Sequence, residues 1–251
     1  MADDNADRLP TYIKLHIEYG NLRASKLNAL NLTPRQLELA LICAAYWDRV
    51  EIVRAICKKD VDVDAIDDTE FKKTALMSTD DEDIARLLIE RGASLDKRDT
   101  IGMTALMYNC CRNSRLMVEY LCTLGGIEAK DNNGITPLMY AARHSNLGIV
   151  KYLHETWGAN LQSQDVDGDT ALTFAARHKY LPVCQYLCAR GTLAFRSLYS
   201  LENPTCSALY LRQYRRTQIF ALVSRPHIGA QIGRIPNEIF RRILDILAGP
   251  K

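Results

Sequence analysis

Long apolar runs are absent from this sequence. No stretch approaches the roughly 20 residues that a membrane-spanning helix needs, and the polar stretch from Met1 to Asn5 lacks the apolar core of a secretory signal. The formal net charge of only +2 provides no general attraction to nucleic acid or to membrane surfaces. We therefore expect an intracellular protein, cytoplasmic or nuclear, with no membrane partner.

Recognisable catalytic and metal-binding patterns are also missing. The sequence has no Walker phosphate loop, dinucleotide glycine motif, nucleophile elbow or zinc-protease helix. Its eight cysteines form no Cys-x-x-Cys pair of the kind that zinc sites use. Residues 163–174 echo a calcium loop, but Ser163 and Phe174 stand where that loop needs carboxylates. We predict no metal, no cofactor and no enzymatic activity.

What the sequence does contain is a 34-residue echo, in which residues 131–153 recur as residues 165–187. In each copy a glycine supplies a turn, a threonine caps a short helix and a pair of alanines permits close helix packing. A second helix follows, with apolar residues at spacings of three and four. Such a unit has an apolar face that only a neighbouring copy can bury, so the echo predicts a stacked array.

Earlier copies are present in less regular form. Residues 102–121 follow the same pattern, and so do residues 73–88, although this copy lacks three residues between its helices, across residues 78–83. Residues 41–56 retain the alanine pair and the apolar second helix but have lost the glycine turn. The array is therefore expected to contain about five copies.

The segment from Asp131 to Ala142 resembles the ankyrin repeat, and the resemblance extends over residues 36–194. It implies an all-α ankyrin-repeat solenoid of about five repeats with helical N- and C-terminal caps, formed by residues 1–35 and 195–251. Within the first cap, residues 11–33 have a helical pattern. The histidine that usually follows Thr-Pro-Leu in the family is replaced at four positions, which implies joints that depend more on packing: Met77, Met107, Met139 and Thr173.

In ankyrin arrays the hairpin tips and the end of each first helix line a concave face. The resemblance places seven candidate client-binding residues there: Tyr46, Trp47, Arg112, Arg143, His144, Arg177 and His178. Aromatic residues at one end and arginine and histidine at the other suit a client protein with an apolar anchor and acidic residues. The alternative is that helix ends merely carry solvated residues, with Tyr46 and Trp47 packed under the N-terminal segment.

The last part of the sequence carries a second resemblance. Residues 235–247 form an amphipathic helical pattern similar to the opening of an F-box, as in the PRANC arrangement of poxviral and endosymbiont ankyrin proteins. That likeness implies docking on the Skp adaptor of a cullin ubiquitin ligase. The residues that would bind the adaptor are Ile235, Pro236, Glu238, Ile239, Ile243, Leu244 and Leu247.

Two alternatives remain for this C-terminal segment. It could be forced onto a SOCS-box outline, although Glu238 stands where a proline is expected, or it could be a simple cap that closes the last repeat. The sequence thus predicts a non-catalytic adaptor, or otherwise a plain binding or inhibitory scaffold. A nucleic-acid binder, suggested only by Arg212, Arg215 and Arg216, is not favoured.

Overall fold

The computed structural model describes residues 8–27 and 29–190, and within these residues every regular element is a helix. The predicted all-α solenoid is confirmed. The helices are α1 (Thr11–Glu18), α2 (Ala24–Leu27), α3 (Pro34–Tyr46), α4 (Val50–Ile56), α5 (Ala75–Ser78), α6 (Glu82–Glu90), α7 (Ala105–Arg112), α8 (Arg115–Leu124), α9 (Pro137–Arg143), α10 (Leu147–Glu155), α11 (Ala171–Arg177) and α12 (Leu181–Ala189).

Helices α3 to α12 form five successive hairpins that stack in two layers. The inner layer consists of α3, α5, α7, α9 and α11, each in contact with the next, and the outer layer consists of α4, α6, α8, α10 and α12. The alanine pairs allow this close stacking, because Ala44, Ala45, Ala141 and Ala142 are completely buried. One continuous hydrophobic core runs through all the hairpins.

The inner helices start at threonine caps. The Oγ1 atoms of Thr104 and Thr136 accept the backbone N–H groups of Met107 and Met139, at 3.5 and 3.3 Å. In return, the sulfur atoms of these methionines accept the threonine N–H groups, at 3.5 and 3.4 Å. The methionines that replace the family's histidine therefore complete the cap of their own helix and fill the core beside it.

The hairpin tips are joined by single backbone hydrogen bonds. The N–H of Asn132 donates to the carbonyl of Ile101 at 3.1 Å, and the N–H of Val166 donates to that of Asn133 at 2.9 Å. Thr100 makes the same bond to the carbonyl of Phe71 at 3.0 Å. These bonds fix the register between successive repeats.

The N-terminal segment has the arrangement of a further hairpin. Its predicted helical region is two short helices, with α1 packed on α3 and α2 packed on α4. Arg49 donates to the carbonyls of Ile17, at 2.9 Å, and Glu18 at the end of α1. Asn146 bonds to the carbonyls at the end of α7 in the same way. Helix α1 therefore occupies the position of an inner helix, a role that sequence analysis missed.

Among the described residues, none of the helices has the length and apolar character required to cross a bilayer. The C-terminal segment of residues 195–251, together with the F-box-like pattern at residues 235–247 and all seven candidate adaptor-binding residues, lies outside the described residues.

Candidate protein-binding surface

The seven candidate client-binding residues all lie at the C-terminal ends of inner helices. Four of the five inner helices, α3, α7, α9 and α11, end with one of them, and in three of these the following residue is another. Because the inner helices stack in order, these ends form one row across the repeats, which we call the helix-end row. The structure brings all seven residues into it: Tyr46, Trp47, Arg112, Arg143, His144, Arg177 and His178.

A left-handed residue follows the row in nearly every repeat. Asn113, Ser145 and Lys179 have φ values of 63°, 64° and 62°, and Asp48 has 54°. Gly20, with φ of 69°, has the same place after α1. This turn sends the chain from the inner to the outer helix and leaves the side chains before it at the edge of the stack.

The N-terminal end of the row is aromatic. Tyr46 is 59% exposed and Trp47 is 36% exposed, with ring centroids 5.1 Å apart in an edge-on arrangement. Tyr19, which is 68% exposed, precedes Gly20 as Trp47 precedes Asp48 and so extends the row onto α1. We call Tyr19, Tyr46 and Trp47 the aromatic patch. The described N-terminal residues leave Tyr46 open to solvent, contrary to the alternative in which it packs beneath them.

Next in the row comes an acidic patch, formed by Asp48, Asp80 and Asp81. Burial raises the pKa of Asp48, and the negative charges of Asp80 and Asp81 raise it further. Asp81 also caps α6, since its Oδ1 accepts the N–H of Ile84 at 2.9 Å. The ankyrin pattern in the sequence places Asp80 and Asp81 approximately on the concave face, although they are not among the seven candidates, and it does not indicate Asp48. The left-handed turn at Asp48 is the structural feature that identifies the first of them.

Arg112 lies between the acidic patch and the basic side chains that follow. Its Nη1 donates to the carbonyl of Thr79 at 3.2 Å, and its guanidinium lies 5.5 Å from the centre of the Tyr108 ring. The positive charge of Arg112 also acts to lower the pKa of Asp48. Part of the hydrogen-bonding capacity of Arg112 is thus already used within the protein.

The far end of the row is basic. The guanidinium carbons of Arg143 and Arg177 lie 5.9 and 5.8 Å from the centre of the same Phe174 ring. Arg177 also forms an ion pair with Asp169 at 2.6 Å. Burial lowers the pKa of His144, and the charges of Arg143 and His178 lower it further. We call Arg143, His144, Arg177 and His178 the basic patch.

Tyrosines beside the row have structural roles. The hydroxyls of Tyr108 and Tyr140 donate to Asp99 and Asp131, at 2.6 and 2.7 Å. Burial and these hydrogen bonds raise the pKa of both tyrosines. The same aspartates accept backbone N–H groups of the hairpin tips, so each carboxylate connects a tip to its inner helix. In the fifth repeat Phe174 has no hydroxyl, and Arg177 binds a different carboxylate, that of Asp169.

Three of the cysteines in the described part of the chain have little nucleophilic character. Burial raises the pKa of Cys43 and Cys111 to about 11 and that of Cys122 to about 12. These thiols are therefore protonated at neutral pH, which makes them poor nucleophiles and poor metal ligands. Across residues 8–27 and 29–190, no three His, Cys, Asp or Glu side chains are grouped so as to hold a metal ion.

The family model described as ankyrin repeats (3 copies) matches residues 41–131, 73–165 and 126–195. The chain belongs to the ankyrin-repeat family. Ankyrin repeats are interaction modules and generally non-catalytic, so the repeats of this chain constitute a scaffold for protein–protein interaction. The predicted membership of the ankyrin-repeat family is confirmed for the repeats.

Two curated relatives share part of the repeat region. A putative ankyrin repeat protein of Acanthamoeba polyphaga mimivirus is 36% identical over 77 residues, which are 30% of this chain and 11% of that protein. Protein fem-1 homolog A-like of Mus musculus is 36% identical over 72 residues, which are 28% of this chain and 11% of that protein. The aligned part is thus about a tenth of the length of either relative.

Proposed function

We propose that the helix-end row is the surface on which this protein holds a client protein. The observation that carries the proposal is the exposed pair Tyr46 and Trp47, whose rings contact one another at the end of α3 and remain open to solvent. Tyrosine and tryptophan are enriched among the residues that dominate binding energy in interfaces, because they bury a large area with few rotatable bonds.

The order of the three patches restricts the client. An apolar side chain matches the aromatic patch, a basic or neutral residue matches the acidic patch, and acidic residues match the basic patch. Complementary charges of this kind favour one orientation of the client and disfavour the reverse one. The proposed client therefore presents apolar, basic and acidic groups in that order along the row.

The test compares two tryptophans of similar exposure. Trp47 is 36% exposed in the row, and Trp157, after α10, is 37% exposed. We expect Trp47→Ala to weaken the affinity for a client captured by the wild-type protein by at least about tenfold, or about 1.4 kcal/mol. Trp157→Ala should change it less than about twofold. Equal losses in both variants, measured by calorimetry with the purified client, would refute the proposal.

We also propose that residues 235–247 recruit the Skp adaptor of a cullin ubiquitin ligase, so that the protein brings its client to the ligase. The support is the F-box-like sequence itself, with Pro236, Glu238 and Ile239 at its start. One of the two relatives is viral, as are the poxviral proteins with this arrangement. The free cysteines support an accompanying proposal of a cytoplasmic or nuclear location.

Co-purification with a recombinant Skp-type adaptor tests this second proposal. The full chain should retain the adaptor, whereas a chain truncated after Gly233 or carrying Ile239→Asp should lose it with an unchanged melting temperature. The competing function is that of a plain scaffold with a C-terminal cap, which a solenoid needs at each end. If the full chain never retains the adaptor and truncation lowers the melting temperature, the segment is such a cap.

A further inference from the structure

We propose that the basic patch binds a pair of neighbouring carboxylates in a short acidic segment of a protein, and that this binding is accompanied by proton uptake. The inference rests on the proposed role of the helix-end row and adds the chemistry of the ligand at one end of it. In this proposal the ligand is bound jointly by four side chains: Arg143, His144, Arg177 and His178.

Both arginines are oriented by one aromatic ring, and Arg143 is not paired with any carboxylate of the described residues. Both guanidinium groups lie against the ring of Phe174, which is 6% exposed and therefore fixed in the core. Stacking on an aromatic ring orients a guanidinium group and leaves its N–H edges available. Within the described part of the chain, no carboxylate lies within 4 Å of Arg143, and Arg177 has a single ion pair, with Asp169. Planar carboxylates match these N–H edges in a bidentate manner.

His144 adds a proton-dependent charge beside the arginines. His178 stacks on Tyr180, with ring centroids 5.7 Å apart, and it is close enough to His144 to lower the pKa of that imidazole. Arg143 acts on His144 in the same direction. A bound carboxylate pair opposes this repulsion and favours the protonated form of His144. Affinity should therefore increase as the pH falls from 8 to 5.5, where glutamate remains ionised.

The rest of the row limits the length of the anion. A long polyanion that continued from the basic patch toward α3 would meet Asp80, Asp81 and Asp48 of the acidic patch. This repulsion disfavours nucleic acid, whose charges repeat along its whole length. A protein segment with only a few acidic residues fits the basic patch and avoids the acidic one.

The stacking also predicts the spacing of the client's groups. Trp47 belongs to the first hairpin and His144 to the fourth, three helix-to-helix steps away. Packed helices lie 8–10 Å apart, so the two patches are separated by roughly 25–30 Å. An extended chain covers this distance in about eight or nine residues. The acidic pair should therefore lie about that far from the apolar anchor.

The experiment uses the full chain and two labelled probes, a hexaglutamate peptide and a hexaglutamine peptide, in fluorescence anisotropy. We expect the hexaglutamate peptide to bind and the hexaglutamine peptide not to bind. Arg143→Gln should weaken binding about tenfold. Arg190→Gln is the matched control, since Arg190 follows the outer helix α12 and the change removes the same charge, there from an ion pair with Glu155 of α10. It should change affinity less than about twofold.

The pH arm of the experiment tests the histidines. Hexaglutamate affinity should rise between pH 8 and pH 5.5 in the wild-type protein, and the double variant His144→Gln, His178→Gln should lose most of this rise. His154→Gln, on the outer helix α10, should retain it. Circular dichroism spectra of all variants confirm that a loss of binding reflects the patch and not unfolding.

Several results would overturn the proposal. They are equal binding of the two peptides, equal effects of Arg143→Gln and Arg190→Gln, binding of a phosphoserine peptide but not of hexaglutamate, or tighter binding of a 12-nucleotide single-stranded DNA than of hexaglutamate. Trp47→Ala separates the two proposals, because it should leave hexaglutamate binding unchanged. If hexaglutamate binding depends on Arg143 but the client affinity is unchanged in Trp47→Ala, the client proposal fails and this one stands.

Discussion

The second and fourth repeats pack in the same arrangement, although the inner helix of the second repeat is shorter. Helix α5 has four residues, whereas α9 has seven, in agreement with the three residues missing from the second copy. Both helices are capped by threonine, and both pack in the inner layer between two neighbours. The comparison shows that an inner helix can be nearly one turn shorter and still pack between its two neighbours.

Side chains of the third repeat replace the missing turn. The carbonyl of Thr79, just after α5, accepts hydrogen bonds from Asn109 Nδ2 at 3.4 Å and Arg112 Nη1 at 3.2 Å. Asn109 is completely buried and stands where the fourth and fifth repeats have Ala141 and Ala175. Asn109 Nδ2 also donates to the carbonyl of Ala105 in its own helix at 3.0 Å, so this buried polar side chain links α7 to the end of the shortened neighbour and satisfies a carbonyl on each side.

The tips of the two repeats differ as well. The fourth repeat turns through Gly134, with φ of 81°, whereas the second uses Lys72, with φ of 56°. A side chain in this region costs about 1–2 kcal/mol relative to a right-handed conformation. The second repeat thus combines a shortened helix with a strained tip, and we expect it to be the weakest part of the stack.

The largest predicted effect concerns Asn109. Asn109→Asp introduces a buried carboxylate that faces the Thr79 carbonyl, and it should lower the free energy of unfolding at pH 7 by about 3 kcal/mol or more. Burial raises the pKa of the new carboxyl, so the loss should diminish as the pH is lowered toward 4. Urea unfolding at several pH values measures this.

Asn109→Ala provides the comparison for that variant, with an expected loss of about 1–2 kcal/mol from the missing hydrogen bonds. If the aspartate and alanine variants were equally stable at pH 7, Asn109 would not be the donor that compensates for the shortened helix.

The next prediction distinguishes two costs of replacing a tip glycine: the strain of a positive φ and a steric clash with the neighbouring tip. At Gly102, with φ of 86°, an added Cβ would lie 2.6 Å from the backbone nitrogen of Asn132, whereas at Gly168, with φ of 82°, it would meet nothing within 4 Å. We expect Gly102→Ala to cost about 3 kcal/mol and Gly168→Ala about 1–2 kcal/mol in chemical denaturation. Equal losses of stability would show that the positive φ alone determines the cost at both positions.

A gain of stability is expected from Lys72→Gly. Glycine removes the strain at this positive φ, and the free energy of unfolding should rise by about 0.5–1 kcal/mol. Lys58→Gly, in the turn after α4, is the control and should lower it by a few tenths of a kcal/mol. A thermal denaturation series in which Lys72→Gly is as destabilising as Lys58→Gly would contradict the account of the second tip.

The smallest effect is the pH dependence that His144 adds in the fourth repeat. Because the pKa of His144 is lowered in the folded state, the unfolded chain binds the proton more readily, and stability falls as the pH drops below about 7. His144→Gln should reduce this decline between pH 7 and pH 5. Melting curves of the two proteins that remain parallel over this range would show that the imidazole is equally basic in both states.

Sequence analysis anticipated the repeat architecture because the glycine, threonine and alanine positions recur with a fixed spacing that local geometry requires. It missed the inner-helix role of α1, since His16 and Ile17 stand where α3 has Ala44 and Ala45, and only Gly20 retains the turn. It could not reveal that Arg177 is paired with Asp169 or that Asn109 serves the second repeat. Such contacts join residues on separate elements whose spacing in the sequence has no fixed pattern.

The bonds between hairpin tips have a consequence for how this surface can change. They join main-chain groups, so Phe71, Ile101 and Asn133 all accept through the same backbone carbonyl in spite of their different side chains. The side chains of Thr100 and Asn132 add bonds of their own to the carbonyls of Glu70 and Thr100, whereas the backbone bonds do not depend on which side chains the tips carry. The side chains of one tip can therefore change, and the binding specificity with them, while the backbone bonds keep successive repeats aligned.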